Sequence, residues 1–343
     1  TTTDDDVAGF TIVESDGSTS VDESGTTDTF TIVLDAQPTS DVVLTISSND
    51  TGETTTTGTL TFSPVNWDTP QTITITGVDD DIIDGSVTST ITISVVDASS
   101  NDNFDAVADQ TVSAATTDDD AAGFTIVESD GSTEVAESGT TDTFTIVLDA
   151  QPTSDVVISI SSEDTGEATT TGTLTFSPLN WDTPQTITIT GVDDDIIDGS
   201  INSNTVIAVI DEISDDSFDA VADQTVSVTT TDDDVAGFTI VESNGSTSVD
   251  ESGTTDTVTV VLDAEPNSDV VISISSGDTG EATVNGPLTF TSANWDTPQT
   301  VTVSGADESI IDGDQTSTIT ISIDDANSDN NFDSVADQTI SAT

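Results

Sequence analysis

The run Thr117-Asp118-Asp119-Asp120-Ala121-Ala122-Gly123-Phe124-Thr125-Ile126-Val127-Glu128 decides how this chain divides. Three adjacent carboxylates stand directly before a short segment of alternating apolar residues. The pattern recurs as Asp4-Asp5-Asp6 ahead of Gly9-Phe10-Thr11-Ile12-Val13-Glu14, and as Asp232-Asp233-Asp234 ahead of Gly237-Phe238-Thr239-Ile240-Val241-Glu242. The 343 residues hold 67 Asp and Glu and no Lys, Arg or His, so no side chain neutralises these acids. Two carboxylates about 4 Å apart repel by roughly 4 kcal/mol at an effective dielectric of 20. Clustering them calls for bound cations, raised pKa values or a disordered chain.

Disorder is the reading that net charge alone favours. The apolar residues are only 32% of the chain, yet they fall in alternating runs rich in Val, Ile, Thr and Phe. That patterning favours folded strands. The missing cationic side chains exclude nucleic acid as a partner and disfavour an anionic membrane surface. No apolar stretch approaches the ~20 residues of a membrane span. The chain opens in mid-pattern, which leaves room for a leader upstream. Zero Cys means no disulfide and no thiolate chemistry.

Trp67, Trp181 and Trp295 are spaced by 114 residues, as are Asp4, Asp118 and Asp232. That length suits one β-sandwich of about 100 residues and is too long for a solenoid turn. Three domains are expected, at 4–117, 118–231 and 232–343, as whole periods of an array. In the first, strands are predicted at 10–14, 26–34, 41–47, 59–62, 71–77, 87–96 and 107–114, designated A to G. Phe30, Ile32, Leu34, Leu44, Ile46, Leu60, Phe62, Ile73, Ile75, Ile91 and Ile93 supply the core. Period-two alternation buries one face and wets the other, where β-branched Thr dominates. The fold class is therefore all-β: three tandem seven-stranded antiparallel β-sandwiches, with almost no helix.

If consecutive strands alternate in direction, A, C, E and G all run toward one pole. Glu23 in the A–B loop, Asp50 and Glu53 in the C–D loop, Asp79, Asp80, Asp81 and Asp84 in the E–F loop and the triplet Asp118, Asp119 and Asp120 then meet where one domain joins the next. Such a cluster suits Ca²⁺, which takes 6–8 oxygen ligands in flexible geometry. Mg²⁺ demands octahedral geometry, and Zn²⁺ prefers His or Cys, which are absent. The copies sharpen the set. Glu23, Asp79 and Asp84 recur as Glu137, Asp193 and Asp198, and as Glu251, Asp307 and Asp312. Asp80 recurs as Asp194 and Glu308, whereas Asp81 becomes Ser309 in the third copy. Isolated acids such as Asp35 and Asp68 read as solvated turn residues. The segment Asn101-Asp102-Asn103-Phe104-Asp105 falls at the opposite pole, facing the preceding domain's triplet.

The runs Val21-Asp22-Glu23-Ser24-Gly25, Gly58-Thr59-Leu60-Thr61-Phe62, Thr72-Ile73-Thr74-Ile75 before Asp79-Asp80, and Asp118-Asp119-Asp120 together resemble the Calx-β domain. Asn66-Trp67-Asp68-Thr69-Pro70-Gln71-Thr72 is similar to its bacterial repeat version. That family includes the calcium-sensing domains of sodium–calcium exchangers and long arrays in bacterial surface proteins. The resemblance covers the whole chain three times. It implies a seven-stranded sandwich with Ca²⁺ at one pole, held by Glu23, Asp79, Asp80, Asp84, Asp118, Asp119 and Asp120. The copies it implies are Glu137, Asp193, Asp194, Asp198, Asp232, Asp233 and Asp234, then Glu251, Asp307, Glu308 and Asp312. The family's C–D loop ligand maps near Gly52, which is not acidic; Glu53 or Asp50 stands beside it.

No His, Cys, Lys or Arg is present to act as base, thiol nucleophile, amine or oxyanion clamp, so an enzyme is not expected. Paired carboxylates can hydrolyse glycosides, but three near-identical copies at joints read as fasteners. The leading expectation is a calcium-binding structural repeat of an extracellular bacterial fibre, adhesin stalk or matrix filament. Its expected partners are neighbouring repeats or copies of itself head to tail. The alternative is a calcium-dependent module that binds glycan or a cell surface. Against it, the loops repeat almost unchanged, and a single Trp per domain is more often a packing residue than a sugar platform. A calcium sensor would need a downstream element to move, and none is visible.

Overall fold

The computed structural model describes residues 5–309 and 313–343. In the first repeat the strands are β1 (Phe10–Glu14), β2 (Thr19–Asp22), β3 (Thr27–Leu34), β4 (Val42–Ser48), β5 (Thr54–Thr56), β6 (Thr59–Phe62), β7 (Gln71–Gly77), β8 (Val87–Val95) and β9 (Gln110–Thr117). They form one sheet in the order β1-β3-β7-β5 and another in the order β2-β9-β8-β4-β6. Both inner faces feed one core, where Phe30, Ile32, Leu44, Phe62, Ile73, Ile75, Ile91 and Ile93 are buried. The second repeat copies both sheets. The third repeats the first sheet, with Val258 and Val260 where Phe30 and Ile32 stand. The chain is thus three tandem β-sandwiches.

Two strands escaped the sequence reading, which made each sandwich seven-stranded. The first is β2, which pairs parallel with β9, Thr19 opposite Ala114 and Asp22 opposite Thr117. Ser15 to Ser18 bend the chain away from β1, and Gly17 takes a positive φ of 81° that favours glycine. This lets one continuous segment leave the first sheet and join the second. The other is β5, three Thr residues on the edge of β7; its length gives no alternation to read. Strand β9 also begins and ends three residues later than predicted, so its end delivers the chain at Asp118. Leu60 is only partly buried, because it lies on edge strand β6.

Between β8 and β9 lie two single turns of 3₁₀ helix, Asp97–Ser99 and Asp102–Phe104, in place of a plain loop. Their use is to drop Phe104 into the core. Gln110 then donates across the sandwich to the carbonyl of Phe10 at 2.6 Å, and Gln224 and Gln338 repeat the contact with Phe124 and Phe238. Trp67, Trp181 and Trp295 are half-buried against their own cores, as packing residues.

Candidate metal centre at the domain junctions

Four separate backbone elements bring acids to one end of the first sandwich. Glu23 follows β2 directly, and its N–H donates to the carbonyl of Thr117, the last residue of β9. The parallel pairing therefore seats Glu23 beside the outgoing triplet. Glu53 precedes β5; its carbonyl accepts from Val78 N–H at 2.9 Å, tying this loop to the end of β7. Asp80 and Asp84 lie in the β7–β8 loop. Asp118 braces that loop, accepting from the N–H groups of Asp84 at 3.1 Å and Gly85 at 2.8 Å.

The result is two overlapping carboxylate triads. Ligand oxygens of Glu23, Asp80 and Asp120 lie within 4.8 Å of one another, as do those of Glu23, Glu53 and Asp84. Glu23 is shared and is 1% exposed. One oxygen each of Glu23, Glu53 and Asp120 is buried with no hydrogen-bond donor. Burial first, then the charges of Asp118, Asp80, Glu53 and Asp84, push the Glu23 carboxyl up to about 7. Glu53, Asp84 and Asp120 are likewise raised, burial again leading and neighbouring carboxylates adding to it. Anionic oxygens without donors in a crowded interior are the complement of a hard cation.

The second junction repeats one of the two triads, and among the described residues Asp198 stands outside it. Glu137, Asp194 and Asp234 form the triad, and Glu137 is 1% exposed with both side-chain oxygens undonated. Burial and the charges of Asp232, Asp194, Asp198 and Glu167 raise Glu137 to about 7, and burial leads in raising Asp234 to about 6. Asp232 accepts from Gly199 N–H at 2.7 Å, as Asp118 does from Gly85.

The expected ligands do not all converge. Asp79, Asp119, Asp193 and Asp233 are exposed and outside the triads. Asp118 and Asp232 adjoin them as braces of the β7–β8 loop and its copy. In the third repeat Glu251 and Asp307 are exposed and Glu308 is half-buried, while Asp312 lies outside the described residues. Glu53 belongs to a triad but not to the ligand set that the resemblance implies; its copy Glu167 adds its charge at Glu137 without joining the triad there. The approach of Glu53 depends on β5, which carries no sequence signal of its own.

At the opposite pole the acids have another use. Asp215 accepts from the Thr153 hydroxyl at 2.7 Å, Ser154 N–H at 2.7 Å and Ser217 N–H at 3.0 Å. Asn101 holds the same place in the first sandwich and donates to the Thr39 hydroxyl at 2.6 Å. A neutral amide substituting for the acid marks this as a structural position.

No protein-family model matches the chain, and no curated protein matches it. Among solved structures, the calcium binding domain CBD12 of CALX1.1 is similar at 16% identity over 57% of this chain and 79% of that one, with a TM-score of 0.26. The titin I-band fragment I67–I69 is similar at 9% identity over 99% and 96%, with a TM-score of 0.29. Domains 4–9 of the surface layer protein SbsC are similar at 14% identity over 98% of this chain, which spans 47% of theirs, with a TM-score of 0.28. At these scores neither the ligands nor the partners of those proteins transfer to this chain.

Proposed function

We propose that the chain is a calcium-binding structural repeat, non-catalytic, in which Ca²⁺ rigidifies the joints of an extracellular fibre, adhesin stalk or matrix filament. The observation that carries this reading is the buried glutamate, with one oxygen of Glu23 and both of Glu137 receiving no hydrogen bond, each glutamate grouped with further carboxylates. The donor set is all oxygen, which favours Ca²⁺ over metals that select nitrogen or sulfur. At the first junction Glu23 belongs to both triads, so in this reading one carboxylate bridges two cations. A divalent ion converts mutual repulsion into attraction and ties β2, the β7–β8 loop and the outgoing linker together. Sites built on loops suit the extracellular-module range of about 10⁻⁴–10⁻³ M, matched to millimolar calcium outside the cell. The partners are neighbouring repeats, or copies of the chain head to tail.

Titration calorimetry paired with small-angle scattering tests this reading. Calcium uptake at both junctions is expected, with the maximum dimension approaching three domains end to end. The chelated ensemble should be broader. Identical scattering profiles with and without calcium, and no bound metal by elemental analysis, would sink the proposal.

A further inference from the structure

The β7–β8 loop has a second side. Asp80 and Asp84 face their own domain's acids, while the residues between them contact the next sandwich. Asp81 O accepts from Gln151 N–H at 2.6 Å, and Ile83 N–H donates to Gln151 O at 3.1 Å, a parallel bridge across the joint. The Ile83 side chain packs against the core of the second sandwich. Ile82 N–H bonds back to Asp80 at 2.8 Å, holding the two sides in register.

The second junction uses the same geometry. Asp195 O accepts from Glu265 N–H at 2.6 Å, Ile196 N–H donates to Asp194 at 2.7 Å, and Ile197 packs against the third core. There the Ile197 carbonyl also accepts from the side-chain amides of Asn267 and Asn331, each at 2.8 Å. Because the receptor offers backbone groups, Gln151 and Glu265 serve equally well. Side chains of successive residues in an extended segment point to opposite sides. Acid, isoleucine, acid at short spacing therefore makes one strip with two faces.

We infer that this loop is a docking surface whose partner is the following sandwich, so that cation binding and domain docking form one equilibrium. The inference rests on the cation reading above and names the side chains that transmit it. Without a cation, Asp80 and Asp84 are repelled by Glu23 and Glu53, and a loop that swings away withdraws Ile83 from the next core. With a cation, the carboxylates hold the loop in the shape that presents Ile83. Coupling of this kind is reciprocal: whatever weakens docking weakens cation binding by the same factor.

The test uses the full chain. It contains no Cys, so Thr61→Cys and Thr175→Cys place two spin labels on exposed positions of the first and second sandwiches. Distance distributions and calcium calorimetry are measured for the labelled chain and for Ile83→Ser and Ile83→Val. Ile83 lies outside its own domain's core, so each sandwich should stay folded, with hydrogen exchange as the check. Ile83→Ser is expected to broaden the distribution in calcium and lower affinity at the first junction about fivefold, the low end of measured couplings. The second junction should be unchanged and Ile83→Val near the parent. If the parent binds calcium and Ile83→Ser matches it in both readouts, the coupling is overturned and the cation site stands. A parent that takes up no calcium overturns the cation reading and the coupling with it.

Discussion

Two carboxylates at opposite ends of the second sandwich are almost equally buried, Glu137 at 1% and Asp215 at 4% exposure, and they titrate in opposite directions. Burial pushes Glu137 up to about 7, with the surrounding acids adding to it. Burial would raise Asp215 too, but donors from Thr153, Ser217 and Ser154 outweigh it and pull the group to about 2. Desolvation is common to both; the supply of hydrogen-bond donors is not. An acid saturated by its own fold is part of the framework. An acid buried without donors has no such place in the framework, and it is this group that the proposed cation site is built on.

The contrast is open to being broken, most forcefully at Asp215. Asp215→Ala strips the acceptor from several buried donors and should cost about 3 kcal/mol in chemical denaturation of the second sandwich. Asp215→Asn should cost less, since Asn101 serves there in the first sandwich. Neither change should alter calcium binding; a lost calcium site in Asp215→Asn would collapse the distinction between the poles.

Glu137→Gln should act the other way round. Calorimetry should show affinity at the second junction lowered by about tenfold, because ligand charge count sets calcium affinity, with the first junction intact. In chelator the same variant should melt higher than the parent, since one repelling charge is gone. A lower melting point in chelator would mean that Glu137 is structural after all.

The pH dependence sharpens the comparison at smaller amplitude. Glu23 and Glu137 have folded pKa values near 7, above their ordinary 4.5. In chelator the native state therefore holds more protons between those values, and stability falls as pH rises from about 4.5 through 7. Asp215, lowered from 3.8 to about 2, contributes stability above 3.8 that is lost as pH falls toward 2. Metal-free melting temperature should peak between these windows. Saturating calcium should reverse the upper slope, because the ligands bind the ion deprotonated. A flat metal-free profile from pH 4.5 to 8 would contradict the crowding at Glu23, which Asp118, Asp80, Glu53 and Asp84 surround.

The smallest effect is expected at the exposed members of the acidic runs. Asp79→Asn or Asp119→Asn should change calcium affinity within about twofold, as befits solvated charges screened by salt. A loss there equal to that of Glu137→Gln would return these residues to the ligand set.

The repeat length, the strands and most of the core were legible in residues such as Phe30, Ile32, Ile73 and Ile75, because alternation is a local property of an extended chain. That the loops carrying Glu23, Asp80, Asp84 and Asp120 share one pole followed from the strand count and an alternating strand direction. What no local pattern carries is partner choice. The parallel seat of β2 against β9 decides that Glu23 is buried beside the triplet, and the three-residue β5 brings Glu53 to it. Asp80 and Asp79 are the same side chain one residue apart, and only the docked loop turns one inward and leaves the other in water. Glu137 and Asp215 are two acids in a chain full of them until the tertiary fold surrounds one with donors and denies them to the other. Composition set the total charge, but hydrogen bonding and burial depend on neighbours distant in sequence, and those exist only once the sandwich has closed.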